Sequence, residues 1–240
     1  MTRISLLILF SLLLISARCQ HSRPNADTGD AYVHRPGSMD GTGKFYLGRE
    51  IAQIMGSNGA MWLERDEREK EENTSAAIRH MKLSPESVVA DIGAGTGYYT
   101  FRIASKVPKG KVYAVEIQDE LISILTHKKE DLHSKNVEVI KGDTQSANLP
   151  ANSIDLVVMV DVYHELLYPN EMLSSIRKAL KPKGKLLLLE YKAEDPSVAI
   201  KKLHKMSVAQ VTRELSANKF SLFYRGDFLP IQHFLIFQKE

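Results

Sequence analysis

Residues 88–100 read VVADIGAGTGYYT. An apolar run from Val88 to Ile92, interrupted only by Asp91, stops at three glycines in alternate positions, Gly93, Gly95 and Gly97. A short apolar run bounded by turn residues reads as a buried strand. Glycines at this density mark a backbone that turns sharply and lets another group approach closely. Helical spacing resumes at Tyr98, so the loop joins a strand to a helix whose first N–H groups lack intrahelical partners. In open α/β sheets, ligands bind beyond the carboxyl ends of the strands, where the strand order reverses. A helix start at that place suits a nucleotide-like ligand carrying an anionic group.

The pattern repeats outward from this loop. Lys111–Glu116, Val137–Lys141, Ile154–Val160 and Lys185–Tyr191 read as strands, with helical stretches over Tyr98–Ser105, Asp119–His133 and Glu171–Leu180. Segments such as DLVVMV and LLLLE are apolar on both faces, as in a parallel sheet covered on each side by helices. The alternation predicts an α/β, Rossmann-like doubly wound fold. A long helical stretch covers Val198–Ala217. FSLFYR and QHFLIFQ then follow, separated only by GDFLP. A parallel crossover needs a dozen or more residues, so the sheet is expected to end in an antiparallel hairpin.

Ahead of this domain, Phe45–Met55 has helical spacing, and GSNG breaks it. In AMWLERDEREKEENT the pairs Glu64/Arg68, Arg65/Glu69 and Asp66/Lys70 lie four apart, the mark of a solvated helix face. Thr74 is placed to cap the next helix, Ser75–Met81, and Trp62 reads as a packing residue. These features predict an N-terminal helical cap over residues 44–83 and a ligand-binding domain over 84–240. Residues 20–43 are polar and rich in Gly, Pro, Asp and Ser, and read as a flexible linker.

The chain has 240 residues, 43% of them hydrophobic and 25% charged, enough for one sizeable core. Its first twenty residues are MTRISLLILFSLLLISARCQ. Arg3 followed by an apolar stretch of about a dozen residues, shorter than the ~20 of a spanning helix, reads as a secretory signal peptide over residues 1–19. Cleavage is expected after Ala17 or after Cys19, giving an exported protein, periplasmic or secreted, with no stable transmembrane segment. A second reading is a lipoprotein anchored through Cys19, which Arg18 fits poorly. Loss of Arg3 and Arg18 with the leader takes the net charge from +3 to +1. That balance, with basic and acidic residues interleaved, argues against a nucleic-acid partner. Cys19 is the single cysteine, so a mature chain cleaved after it has no disulfide framework, thiolate metal site or cysteine nucleophile.

The glycine spacing is G-x-G-x-G, one residue tighter than the dinucleotide fingerprint G-x-G-x-x-G. Glu116 ends the second strand ~20 residues on, where a carboxylate can accept ribose hydroxyls. Asp143 follows the third strand in VIKGD, and Asp161 follows the fourth in LVVMVD. Acids thus stand at the carboxyl ends of four successive strands.

This ordered set resembles the class I S-adenosylmethionine-dependent methyltransferases, over roughly Ser84 to Glu240. It looks closest to a small-molecule branch that includes quinone-biosynthesis methyltransferases, which LKPKGKLLLLE matches well. The resemblance implies a seven-stranded sheet with its last strand inserted antiparallel, S-adenosyl-L-methionine as cofactor and a small-molecule acceptor. It also implies that the loop, with Asp91, Gly93, Ala94, Gly95, Thr96 and Gly97, cradles the methionine portion. By the same resemblance Glu116 holds the ribose diol, Asp143 contacts the adenine amino group, and Ile117 and Thr144 flank the ring. Asp161 to Glu165 would line the seam between cofactor and acceptor, and residues 45–73 would form the variable cap over the acceptor pocket.

Methyl transfer from a sulfonium is an in-line displacement in which positioning supplies much of the rate. If the acceptor must lose a proton, His164, with an ordinary pKa near 6.5, is the first candidate base, beside Asp161, Tyr163 and Glu165. The same residues also read as an ordinary helix start after the fourth strand. The Asp-Pro-Pro-aromatic signature of amino methyltransferases is missing, since Val-Tyr-His follows Asp161. The cysteines that mark arsenite methyltransferases are missing too. His164-Glu165 is not H-E-x-x-H and the other histidines are scattered, so no metal is expected. Two other classes remain open at this point. An NAD(P)-dependent oxidoreductase is opposed by the tight glycine spacing and the terminal hairpin. An exported S-adenosylmethionine-binding protein without catalysis is favoured by the contrast between a leader and a cofactor made in the cytoplasm.

Overall fold

The computed structural model describes residues 31–240; the leader, Cys19 and the first part of the expected linker, residues 20–30, lie outside the described residues. The described chain opens on three strands, β1 (Tyr32–His34), β2 (Gly41–Tyr46) and β3 (Arg49–Ala52), which form an antiparallel sheet in that order. This corrects both the linker expected up to Gly43 and the helix expected over Phe45–Met55. Phe45 pairs with Glu50 and Tyr46 with Arg49, which leaves Leu47 and Gly48 as a two-residue turn with φ of 45° and 88°. Positive φ at both central positions defines the hairpin turn whose sequence mark is Asn-Gly. Leucine in the first position hides that mark. The Leu47 carbonyl is held from outside by the Arg213 guanidinium at 2.9 Å.

Next come α1 (Ala60–Leu63), α2 (Arg68–Glu72) and α3 (Thr74–His80). The continuous helix expected across the charged run is therefore two short ones. Asn73, in the left-handed region at φ 55°, ends α2 and caps α3, accepting from the Ala76 N–H in place of the predicted Thr74 cap. The cap is thus part sheet and part helix.

The main domain follows as β4 (Val88–Ile92), α4 (Tyr98–Ala104), β5 (Lys111–Glu116), α5 (Asp119–Asp131), β6 (Val137–Lys141), β7 (Ile154–Val160), α6 (Pro169–Ala179), β8 (Leu180–Tyr191), α7 (Val208–Ala217), β9 (Phe220–Gly226) and β10 (Gln232–Lys239). The helix expected over Val198–Ala217 is confined to α7, because Ser207 caps it by accepting from the Gln210 N–H at 3.1 Å. Before that cap the chain runs beside the end of β8, with a single 3-10 turn at Lys202–His204.

One seven-stranded sheet has the order β6-β5-β4-β7-β8-β10-β9, with β4 to β8 parallel and β10 antiparallel between β8 and β9. It is the doubly wound sheet with a terminal hairpin that the sequence predicts. Alternation along the strands sends Ala90, Ile92, Val157 and Met159 to the face covered by Leu173, Ile176, Val211 and Leu215. Val89, Val158, Leu187 and Leu189 face Ala77, Ile103 and Leu125. The strand order reverses between β4 and β7, so the crevice beyond that reversal opens at the glycine loop. No helix of the described residues is long and apolar enough to cross a membrane.

The Leu47 turn makes a direct prediction. A left-handed residue other than Gly or Asn costs roughly 1–2 kcal/mol. Leu47→Asn is expected to raise stability by about 1 kcal/mol, read as an upward shift of the urea unfolding midpoint. A fall in the midpoint would show that the leucine side chain, and not the backbone, decides this position.

Candidate active site

The loop after β4 is shaped by its backbone. Gly93, Gly95 and Gly97 have φ of 70°, 58° and 83°, and the Gly93 and Ala94 N–H groups both bond the Val115 carbonyl, at 2.9 and 3.0 Å. A Cβ on Gly95 would lie 2.7 Å from a Leu63 methyl of the cap, so the position excludes side chains on two grounds. Glu116, buried at the end of β5, closes the loop from the other side. Its Oε2 accepts from the Gly95 N–H at 2.9 Å, and its Oε1 from Ile117 and Gln118 N–H at 2.7 and 3.1 Å.

Asp91 stands behind the loop and is buried, with Oδ2 accepting from the Thr100 hydroxyl at 2.6 Å. Burial raises its pKa to about 6. The Thr100 bond and the Arg68 charge oppose that rise, and Glu116 adds to it. Thr96 reaches the cap: its hydroxyl donates to Glu64 at 2.6 Å, and the Lys128 ammonium donates to the same carboxylate oxygen at 2.8 Å. The Gln118 amide donates to the Met55 carbonyl at 3.0 Å. The cap therefore touches the glycine loop directly.

Asp143 and Thr144 lie exposed on the loop after β6, with Ile117 half-buried nearby. Asp143 Oδ1 accepts from the Gln145 and Ser146 N–H groups, both at 2.7 Å, so it shapes its own turn. One carboxylate oxygen remains outside these bonds.

A second, buried group of polar residues extends from Asp161. Asp161 sits at φ 54°, directly after β7. Its Oδ2 accepts from the Gln232 amide at 2.7 Å, whereas its Oδ1 and the Gln232 Oε1 are buried without partners. Burial pushes the Asp161 pKa well up, and Glu72 and Glu190 push it further, against Arg68 and His164. Tyr163 is buried and donates its hydroxyl to Glu214 at 2.9 Å. His164 is 1% exposed, with Nδ1 2.7 Å from Glu190 Oε2 and Nε2 3.2 Å from His204 Nδ1. Burial disfavours its charge, but the Glu190 and Glu165 carboxylates outweigh that and raise its pKa to about 10. A protonated His164 with both nitrogens engaged has no lone pair with which to take a proton. Asp161 is the one catalytic candidate that keeps a free buried oxygen.

The structure adds residues that the sequence reading did not select. Arg68 and Glu72 are buried, not an exposed helix face, which corrects that expectation. Arg68 Nε donates to Glu72 at 2.8 Å, Arg65 reaches the same carboxylate at 2.6 Å, and the Tyr191 hydroxyl donates to it at 2.8 Å. The i,i+4 spacing of Arg68 and Glu72 was visible; their burial comes from packing on α4 and β8. Glu190, near the end of β8 in LLLLE, follows the same acid-after-strand pattern as Glu116 and could have been found by it. His204 lies 40 residues beyond His164, with no local signal to connect them. A cleft of about 620 Å³ lies elsewhere, lined by Arg49, Glu50, Pro196, Lys202, Met206 and Gln210 among others, and shares no residue with the glycine loop.

The family model described as "Methyltransferase domain" matches residues 83–225. The chain belongs to this family. An uncharacterized methyltransferase-like protein of Schizosaccharomyces pombe is 32% identical over 120 residues, 50% of this chain and 44% of the relative. A ubiquinone/menaquinone biosynthesis C-methyltransferase of Ectopseudomonas mendocina is 31% identical over 111 residues, 45% of this chain and 43% of the relative. The chain thus matches less than half the length of these curated relatives. Among solved structures, a SAM-dependent methyltransferase from Aquifex aeolicus superposes with a TM-score of 0.72 at 24% identity, covering 77% of this chain and 98% of that one. The glycopeptide N-methyltransferase MtfA, solved with S-adenosylmethionine, superposes with a TM-score of 0.56 at 17% identity, over 70% of this chain and 87% of that one. These likenesses establish the class I methyltransferase fold.

Asp91 gives the domain a testable pH dependence. Its folded pKa, about 6, lies above the 3.8 of an ordinary Asp, so the native state holds a proton that the unfolded chain gives up. Its contribution is present in full below about pH 4 and is lost as pH rises through 6, a change of about 3 kcal/mol for a shift of this size. Stability curves of the wild type and Asp91→Asn, measured by urea unfolding between pH 4 and 7, are expected to converge towards pH 4. They should separate in favour of the variant above pH 6. A constant difference across that range would rule out the raised pKa.

Proposed function

We propose that the protein transfers the methyl group of S-adenosylmethionine to a small-molecule acceptor. The observation that carries this reading is the Gly93–Gly97 loop closed by the buried Glu116 carboxylate at the sheet's topological switch point. The residues fit the cofactor in charge. Asp161 Oδ1 and Gln232 Oε1 are buried acceptors with nothing to accept from. Those acceptors, with Asp91 behind the loop, suit a ligand that carries an ammonium and a sulfonium.

When bound, the cofactor supplies an activated methyl group on a positively charged sulfur. The chain's own residues bind, orient and exclude water. Glu116 would turn from the loop N–H groups to the ribose hydroxyls, and the free oxygen of Asp143 would meet the adenine amino group. Asp161 would take the cofactor's donors at its open oxygen. Tyr163 and His164, engaged by Glu214, Glu190 and His204, would hold the acceptor side of the crevice in place. The resemblance to quinone-biosynthesis enzymes supports a small organic acceptor.

Calorimetric titration with S-adenosylmethionine and S-adenosylhomocysteine tests the reading. Micromolar binding is expected, weakened at least 100-fold in Glu116→Ala, which removes about two charge-assisted hydrogen bonds of 1.5–3 kcal/mol each. No binding of either ligand to the folded protein would overturn it. Binding without methyl transfer to any acceptor would favour an exported binding protein.

We further propose that the protein is exported, on the strength of Arg3, the apolar stretch Ile4–Ile15 and the small residues before Gln20. N-terminal sequencing of the protein made in its own cells checks this. A chain beginning at Arg18 or Gln20 is expected for a cleaved leader, and one beginning at an acylated Cys19 for a lipoprotein. A cytoplasmic chain retaining Met1 would overturn export.

A further inference from the structure

His164, Glu165 and His204 bring three metal-ligating atoms to one point. His164 Nε2 lies 3.2 Å from His204 Nδ1 and 3.6 Å from Glu165 Oε1, and His204 Nδ1 lies 3.3 Å from the same oxygen. For a cation about 2.1 Å from each ligand, a tetrahedron places the ligand atoms about 3.4 Å apart, whereas an octahedron places them about 3.0 Å apart. The three observed separations bracket the tetrahedral value. Two imidazoles and one carboxylate, with a fourth position left open, are a ligand set of catalytic zinc sites.

The surroundings make the same point independently. Metal-bound histidines almost always give their other ring nitrogen to a carboxylate or carbonyl, which fixes the ring and its tautomer. His164 Nδ1 does this with Glu190 Oε2 at 2.7 Å, and Glu190 is fully buried. The other Glu190 oxygen accepts from the Tyr163 N–H at 2.8 Å, and the His164 carbonyl accepts from Arg49 at 3.0 Å. The first ligand is therefore rigid on both sides. The other two remain reachable: the His204 and Glu165 side chains are 19% and 11% exposed. Leu203 and Lys205, either side of His204, line the 620 Å³ cleft, which supplies an entry path.

We propose that His164 Nε2, Glu165 and His204 Nδ1 form a site for one divalent cation of the zinc class, with Glu190 orienting His164. The cation takes the place of the protons these groups share without it. The site follows β7, shares no residue with the glycine loop, and is separate from the cofactor-binding reading above. Success or failure of cofactor binding therefore leaves it to be decided on its own evidence.

Cobalt(II) is the probe, because a four-coordinate cobalt site absorbs visibly far more strongly than aqueous cobalt. The full chain without a polyhistidine tag is stripped with a chelator and titrated. One equivalent of cobalt is expected to give four-coordinate bands, and zinc to displace them. His204→Ala and Glu165→Gln are each expected to weaken binding at least 100-fold, and Glu190→Gln 10- to 100-fold. Folding of each variant is read separately by circular dichroism. If His204→Ala does not fold, His204→Gln, which keeps a hydrogen-bonding side chain, carries the test. Absence of the bands in the wild type, or bands unchanged in either ligand variant, overturns the assignment.

Discussion

Asp91, Glu116, Asp161 and Glu190 stand at the carboxyl ends of β4, β5, β7 and β8, which are contiguous in the sheet, so the fold gathers four acids at one edge. Burial and neighbouring carboxylates both disfavour charge on Asp91 and Asp161. The rest of the structure answers that constraint. Loop N–H groups serve Glu116, and the Tyr163 N–H and His164 serve Glu190. Arg68 lowers the proton affinity of both Asp91 and Asp161. Glu72 adds a further buried carboxylate and is held by Arg65, Arg68 and Tyr191. The cap is therefore an electrostatic component of the site as well as a cover. Removing one partner of a buried ion pair typically costs 3–5 kcal/mol, because a charge is left uncompensated. The five-residue α2 is far too short to be stable alone, so its position is set by these charges and by packing, not by helix propensity.

The same surplus of carboxylate bears on which nucleotide the crevice accepts. A dinucleotide brings a pyrophosphate to the loop after the first strand. Here that loop has Asp91 behind it and the Glu116 carboxylate bonded to its central N–H, so a pyrophosphate would meet two acids where it needs donors. A ligand with cationic groups and a ribose diol meets complementary charge in the same place. Discrimination of this kind works by rejection as much as by attraction. It adds an electrostatic ground to the glycine spacing and the terminal hairpin, which already oppose an NAD(P) enzyme.

Strands β4 to β7 were legible to the residue, because strands buried on both faces of a parallel sheet are continuous apolar runs bounded by turns. The terminal hairpin followed from the length of one linker. The first hairpin was not legible, because Leu47 occupies a left-handed position that normally announces itself with Asn or Gly. Arg68 and Glu72 have the spacing of a solvated helix pair, and only the arrival of Tyr98, Tyr99 and Tyr191 turns that pair into a buried one. Local pattern fixes periodicity, whereas burial of charge depends on neighbours contributed from elsewhere in the chain.

His164 carries that distinction furthest. In DVYHEL it has the ordinary features of a general base near neutrality. Glu190 and His204, 26 and 40 residues away, engage both of its nitrogens. With Glu190 fixed on Nδ1, only Nε2 is left to meet a proton, a neighbouring histidine or a cation. Its chemistry is then decided by what occupies the small triangle between Nε2, Glu165 and His204. A proton there makes His164 a fixed positive charge that compensates the acidic edge. A divalent cation there brings more positive charge to the same point while leaving the imidazole neutral. Either occupant places positive charge beside the strand-end acids, and the proposed cation differs from the proton in the open coordination position that only a cation provides.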